Sequence, residues 1–251
     1  MIRPLLPSLL ALIIPCAAFA ASDDPVASVP SDAALSGTYV LSQCPNNIQI
    51  FDRIVFKNDW TCLIDPGDGR SVPGKYQLTG AGDSAAMTIE PSSAMPPATY
   101  GIWRLDNSFW LTPGSGGEPI GYSLLPPHPP NLNFDQIVGT FFSRERVGYN
   151  AFQITPDHKF HSRAMSLDSD AHTAQEIDVD GTVTYADGII TYFNEHSSPS
   201  VAGKFNRDVI IKRDNAGIWV VDTFENALLC EIPAKSLVLP PPPPGYSLIP
   251  K

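Results

Sequence analysis

Basic residues are scarce in this chain. Its 251 residues include 16 lysines and arginines against 26 aspartates and glutamates, a formal net charge of −10. An acidic surface repels a phosphate backbone, so this composition argues against nucleic acid as a ligand. It is compatible with a basic protein partner, with a cationic ligand, or with solubility alone.

Long apolar segments are also missing, with one exception at the start of the chain. Arg3 is followed by an apolar run as far as Ile14, and Ala18-Phe19-Ala20 then places small residues where a signal peptidase reads. The run is shorter than the roughly 20 residues that span a bilayer, so it predicts a secretory signal peptide at residues 1–20. We therefore expect a periplasmic or secreted mature chain that begins near Ala21 and has no transmembrane span.

Cysteine is limited to Cys16, Cys44, Cys62 and Cys230. Cleavage after residue 20 removes Cys16 and leaves an odd number in an oxidising compartment. We expect a disulfide between Cys44 and Cys62, which enclose a short loop, and a buried thiol at Cys230. A bond between Cys44 and Cys230 is the alternative. Cleavage just before Cys16 would instead anchor a lipoprotein, although Pro15 is the wrong residue to precede that cut.

Helical periodicity is absent over any long stretch, and residues 225–230 are the best helix candidate. Apolar and polar residues alternate instead, with turn residues every eight to twelve positions, which is typical of antiparallel β structure. Asp180-Gly181 predicts a two-residue hairpin turn. The predicted strands are 38–41, 54–57, 60–64, 75–78, 86–90, 100–105, 109–112 and 122–125, followed by 140–142, 152–155, 159–165, 176–179, 182–185, 189–193, 209–212, 218–221 and 228–232.

The two halves of the chain resemble each other. Three segments of the first half have counterparts in the second, in the same order and each about 100 positions later. Such repetition predicts an all-β protein of two tandem antiparallel β-barrel or β-sandwich domains related by internal duplication. The matching segments are 37–40 with 139–142, 54–59 with 152–157, and 106–111 with 214–220.

Proline marks the expected domain boundaries. Pro126-Pro127-His128-Pro129-Pro130 reads as a stiff linker, and five more prolines at 240–244 precede Gly245–Pro250, a near copy of Gly121–Pro126. The tail then either forms an edge strand or docking peptide, or is frayed. The predicted organisation is a signal peptide at 1–20, a flexible segment at 21–34, β domains at 35–126 and 135–236, a linker at 127–134 and a proline-rich tail at 237–251.

Few side chains suggest catalysis or metal binding. The best metal candidates lie in the second half: His158, His161, His172, Asp168 and Asp170. In an extended segment the last three would share one face, and histidine with carboxylate suits zinc. However, the other two histidines are three apart, on opposite faces of a strand. We expect ordinary polar side chains there, with no metal and no cofactor.

Known catalytic and calcium motifs are incomplete. The segment 178–181 resembles the start of a calcium loop but lacks the glutamate that such a loop needs. Gly82-Asp83-Ser84 resembles the nucleophile block of GDS esterases, yet no histidine follows His196. Patterns of the Gly-x-Ser-x-Gly and P-loop types are absent. We therefore expect no catalytic residues and a protein that is not an enzyme.

Aromatic residues lie in or beside many of the predicted strands. Such rings can stack on sugars in a binding groove, but they more often fill a core, and the match of Trp110 with Trp219 between the halves favours the core. The aromatic residues in question are Trp60, Trp103, Trp110, Tyr39, Phe56 and Phe109.

The two repeat openings carry one family resemblance. Leu35-Ser36-Gly37-Thr38-Tyr39-Val40-Leu41 and Ile137-Val138-Gly139-Thr140-Phe141-Phe142 are similar to the first strand of lipocalin-like (calycin) domains. The resemblance implies small up-and-down barrels. Tyr39 and Phe141 replace the tryptophan of that family, and no ligand residues can be transferred.

These features favour a secreted or periplasmic, non-enzymatic binding protein. We expect it to bind or inhibit a protein partner in the cell envelope, as an inhibitor or immunity protein does. The partner would be basic, and the binding residues are unknown from sequence. One alternative is a lipocalin-like carrier of a small apolar ligand. A less favoured one is a metal-dependent hydrolase that uses the second-domain histidines.

Overall fold

A computed structural model of the chain shows an all-β protein, as predicted. It describes residues 34–44, 51–80, 85–92, 96–105, 107–114, 119–145, 148–198, 205–221, 226–232 and 237–249. The described part contains seventeen strands and one short 3-10 helix, Phe134–Gln136. In that part no helix has the length and hydropathy needed to cross a membrane.

The first eight strands form a closed antiparallel barrel. Each strand pairs with the next along the chain, and β8 returns to pair with β1. The closure leaves this barrel without an open sheet edge along most of its length. The strands are β1 Gly37–Gln43, β2 Arg53–Phe56, β3 Thr61–Asp65, β4 Val72–Thr79, β5 Ala86–Pro91, β6 Ala98–Arg104, β7 Ser108–Pro113 and β8 Ile120–Leu125.

The next eight strands pair in the same way. They also run antiparallel in sequence order, and β16 closes on β9 through Cys230 opposite Phe142 and Glu231 opposite Phe141. The strands are β9 Gly139–Glu145, β10 Gly148–Ile154, β11 Lys159–Asp168, β12 Thr173–Ala186, β13 Ile189–Ser198, β14 Phe205–Asp214, β15 Gly217–Val221 and β16 Asn226–Glu231. A last strand, β17 Ser247–Ile249, lies outside both rings.

The matching segments of the two halves occupy equivalent places in the two rings. The first pair opens β1 and β9, the second covers the ends of β2 and β10 and the turns that follow them, and the third leads into β7 and β15. The turns of the two hairpins form equivalent hydrogen bonds. Lys57 N donates to Thr61 O at 3.0 Å in the first, and Thr155 N donates to Lys159 O at 2.9 Å in the second. Descent from a duplication stays a prediction.

Side chains fill the interiors of the barrels. In the first barrel the rings of Tyr39, Phe56, Phe109 and Tyr122 pack on one another with centroids 4.9–5.9 Å apart. The Tyr122 hydroxyl, fully buried, donates to Phe51 O at 2.8 Å. The second barrel has its own buried cluster of Ile137, Phe141, Phe152, Ile154, Phe160, Val183, Ile190, Tyr192, Ile210, Ile218, Val220, Ala227 and Leu229. The prediction that aromatic residues belong to the core is therefore correct for most of the residues named.

A third, small cluster joins the two barrels. Val40 of β1 packs with Val209 of β14 and Val221 of β15, all nearly inaccessible to solvent. Beside them Gln43 pairs with Asn206 across β1 and β14. The outward faces of these strands are thus buried against each other.

Two local predictions are wrong. Asp180-Gly181 is no hairpin turn, because β12 runs unbroken through it and only shifts register against β13 there. A Cβ on Gly181 would lie 1.9 Å from Phe193 O, so this glycine allows a bulge in which β13 approaches closely. The helix candidate at 225–230 falls largely in β16, whose hydrogen bonds to β9 close the ring.

Candidate binding surface on the second barrel

The longest strand that the structure describes, β12 with 14 residues, extends beyond the second ring together with the end of β11. The pairing of β12 with β13 begins at Asp178 opposite Ser198, so residues 173–177 have no partner from β13. The C-terminal strand β17 occupies this edge in parallel, with Ala174 opposite Leu248. The tail therefore forms an edge strand, one of the two outcomes that the sequence left open.

Contacts on both sides of its five prolines hold the tail. Before them, Arg163 Nη1 donates to Leu237 O at 3.2 Å. After them, Ser247 N donates to His172 O at 3.0 Å, and the Tyr246 ring meets the His172 ring edge-on at 5.8 Å. The proline segment spans the gap with no backbone donors of its own.

The docked tail exposes apolar side chains. Val238 is 68% exposed, Leu248 51% and Ile249 40%, and they account for three of the six large hydrophobic residues that are exposed in the described part of the chain. The second edge of β17 pairs with no described strand. An open strand edge with exposed apolar residues is a common site for pairing with another chain.

Carboxylates line the outer face of β12 next to this edge. Glu176, Asp178 and Asp180 alternate along the strand and so point the same way. Arg163 of β11 lies 3.3 Å from Glu176 and 3.1 Å from Asp178, while His161 Nδ1 lies 2.5 Å from Asp180. The Arg163 guanidinium thus pairs with two carboxylates, so the outer face of β12 carries more negative than positive charge.

The metal candidates do not come together. His158 and His172 lie in turns at opposite ends of β11, which at ten residues spans about 30 Å. The predicted shared face of Asp168, Asp170 and His172 is wrong, because residues 169–172 form a turn in which Asp168 Oδ1 accepts from Asp170 N at 3.0 Å. The described residues contain no group of three or more potential metal ligands.

The predicted disulfide between Cys44 and Cys62 is not formed, and the described cysteines are all thiols. Cys62 stands opposite Phe56, which stands opposite Gly37 at the start of β1, whereas Cys44 follows the other end of that strand. The two lie about 20 Å apart along the strand direction, and a disulfide needs Cα atoms within about 7 Å. Burial raises the pKa of the Cys62 thiol to about 11 and also raises the pKa of Cys44.

Several predicted features lie outside the described residues: the signal peptide at 1–20, Cys16, and Gly82-Asp83-Ser84. Among the described residues, sequence reasoning missed Arg163, whereas Leu248 and Ile249 lie in the tail for which an edge strand or docking peptide was one of the two expectations. The tail contains a near copy of Gly121–Pro126, a segment predicted as a strand. This similarity was the signal in the sequence for β17. Nothing local indicated Arg163, since its role depends on the register of β11 against β12.

No family model, curated protein or solved structure matches the chain. The eight-stranded closed barrel is therefore established by the strand pairing, and membership of the lipocalin-like group stays a prediction.

Proposed function

We propose that this is an exported, non-enzymatic binding protein that recognises a protein partner carrying a basic, extended segment. The observation that carries the proposal is the open edge of β17, where Leu248 and Ile249 are exposed beside the carboxylates of β12. An inhibitor or immunity protein of the cell envelope fits this description.

The backbone of β17 is suited to accept another strand. Ser247 N–H points to β12, since it donates to His172 O. Successive residues of a strand point their backbone groups to opposite sides, so the N–H and C=O of Leu248 face away from β12. A partner strand can pair there by β-augmentation, with side-chain contacts to Leu248 for specificity.

Charge supports a basic partner. The chain carries a net charge of −10, and Glu176 follows directly after the part of β12 that holds β17. Asp180 has a side chain 56% exposed, so its charge is available to a partner. Complementary charge speeds association and favours the correct partner over neutral ones.

The carrier alternative receives less support. A carrier needs a cavity inside the barrel, whereas the interior of the first barrel is packed with side chains such as Phe109 and Tyr122, both fully buried. In the second barrel Phe141 and Phe152 stack with centroids 5.4 Å apart. Ligands are better placed on the outside of these barrels.

The proposal is tested by capture from periplasmic extract, followed by measurement of affinity for the protein identified. Leu248→Pro removes the outward N–H but leaves the bonds of Ser247 to β12, and Leu248→Ala is the matched control that keeps the N–H. We expect Leu248→Pro to weaken binding more than tenfold, Leu248→Ala to weaken it less, and added salt to weaken it in every form. Equal retention by wild type and Leu248→Pro would refute this site.

A further inference from the structure

A cleft of about 430 Å³ opens at the rim of the first barrel, far in sequence from the tail surface. At the cleft the turn of the β2–β3 hairpin meets β4, where Tyr76 N donates to Trp60 O at 3.0 Å. From there β4 continues to Thr79, paired with β5. The volume suits a small ligand. The lining residues are Trp60, Lys75, Tyr76, Gln77, Leu78 and Glu90.

The backbone of Trp60 is unusual. Its φ is +65°, a left-handed conformation that bulky side chains rarely adopt and that glycine or asparagine would accept more easily. The indole packs on the Tyr76 ring with centroids 5.3 Å apart, yet Trp60 is 38% exposed. The left-handed backbone therefore disfavours a bulky side chain at this position. Full burial of the ring would offset that conformational free energy, but Trp60 is not fully buried. A strained residue of this kind indicates a functional role for the ring.

The equivalent turn of the second barrel shows an aromatic ring stacked on the residue at this position. His158 has the same place in its hairpin, a φ of +61°, and a ring stacked on Phe134 with centroids 3.8 Å apart. Phe134 precedes β9 by five residues, but the sequence at 21–33, which precedes β1, contains no aromatic residue. Among the described residues, Tyr76 supplies the ring that packs on Trp60, and a ligand ring can take the place that Phe134 has on His158.

Polar residues also line the cleft. Lys75, Gln77 and Glu90 are exposed, and within the described part of the chain none of their side chains forms a hydrogen bond or ion pair. The Tyr76 hydroxyl is engaged, since it donates to Leu35 O at 2.9 Å. The cleft thus offers an aromatic platform with an ammonium, an amide and a carboxylate that have hydrogen-bonding capacity to spare.

We propose that this cleft is a saccharide-binding site. The C–H face of a pyranose ring is apolar and stacks on the indole of Trp60, while its hydroxyls bond to the Gln77 amide, the Glu90 carboxylate and the Lys75 ammonium. A wholly apolar ligand would cover those charges without hydrogen-bonding them, at a cost. The site is independent of the proposed protein-binding edge, which lies on the other barrel.

The test is an NMR titration of the full chain with the β-1,4-linked tetrasaccharides of N-acetylglucosamine and of glucose. The four tryptophans give four indole N–H signals. We expect at least one of the sugars to shift the Trp60 signal, with binding in the millimolar range or tighter, and to leave the Trp103 signal in place. Trp103 is the matched control, because it is an indole of the same barrel and is 47% exposed.

Two variants and one control variant make the outcome decisive. Trp60→Asn removes the ring but suits the left-handed backbone, so it should fold and melt at or above the wild-type temperature while binding at least tenfold more weakly. Glu90→Gln should weaken binding severalfold, and Trp103→Ala should leave it unchanged. An unmoved Trp60 signal with both sugars at about 20 mM would overturn the proposal. Wild-type affinity in Trp60→Asn, or equal loss in Trp103→Ala, would overturn it as well.

Discussion

The guanidinium of Arg207 in β14 lies 2.6 Å from the carboxylate of Asp52, just before β2 of the other barrel. The same Nη1 atom donates to Leu41 O at 3.2 Å, and the ring of Phe205 lies 4.8 Å below the guanidinium carbon. The side chains are 19% and 34% exposed, so this ion pair is more protected than a surface pair. It reinforces the valine contact between the two barrels.

We expect Arg207→Met to destabilise the protein by about 1–3 kcal/mol, because Asp52 keeps its charge and loses its partner at a half-buried site. Urea unfolding of Arg207→Met, Asp52→Asn and the double variant gives the coupling energy, which should be about 1 kcal/mol. Arg70→Ala is the control: its partner Asp68 is nearby in sequence and its side chain is 77% exposed, so the substitution should leave the free energy of unfolding nearly unchanged. Additive single effects would show that the pair does not join the barrels.

Gly181 provides a second prediction, on the bulge that β13 forms opposite it. Gly181→Ala should destabilise the second barrel by about 2–4 kcal/mol, since the new Cβ would lie 1.9 Å from Phe193 O and must push β13 away. Gly101→Ala is the control, because a Cβ there meets Thr112 Cβ at an ordinary 3.6 Å. Thermal unfolding of both variants measures the difference. Similar melting temperatures would mean that the bulge is not needed.

The buried thiol of Cys62 predicts a loss of stability in alkali. Its pKa is about 11 in the folded protein against 9.0 for an ordinary thiol. Below pH 9 the thiol is protonated in both states and contributes nothing. Between pH 9 and 11 the unfolded chain ionises first, so the free energy of unfolding falls by up to about 2–3 kcal/mol as pH rises.

Cys62→Ala should abolish this part of the decline, while the buried tyrosines contribute equally to both proteins. Urea unfolding at pH 8, 9 and 10 measures the two slopes. The native thiol should also react far more slowly with a thiol reagent at pH 8 than the same thiol does in denaturant. Equal slopes in the two proteins, or fast reaction in the native state, would contradict the burial of Cys62.

Local sequence predicted the strands well. Segments such as 54–57 and 159–165 alternate apolar and polar residues. A strand of any barrel shows this alternation, because one of its faces meets the interior. Prediction from local sequence failed where a neighbouring strand determined the backbone conformation. Asp-Gly is a good turn sequence, but Gly181 lies inside a strand because Phe193 approaches it from β13.

The candidate binding surface was predictable only in part. The apolar tail and the acidic composition were visible in the sequence. The pairing of β17 with β12, and the position of Arg163 between two carboxylates, depend on the register of strands that are far apart in the chain. Aromatic residues were expected in the core, and most lie there, but Trp60 has a left-handed backbone in a turn and is 38% exposed.

The sequence by itself determined the all-β class, the strand positions and the acidic charge, because residue period and composition are local properties. Only the tertiary structure decided that Cys44 and Cys62 lie too far apart to bond, that the histidines are scattered, and that the tail becomes a strand. Each of these depends on distances between residues brought together by strand pairing. In a closed barrel those distances are set by the register of the whole ring, which no local pattern specifies.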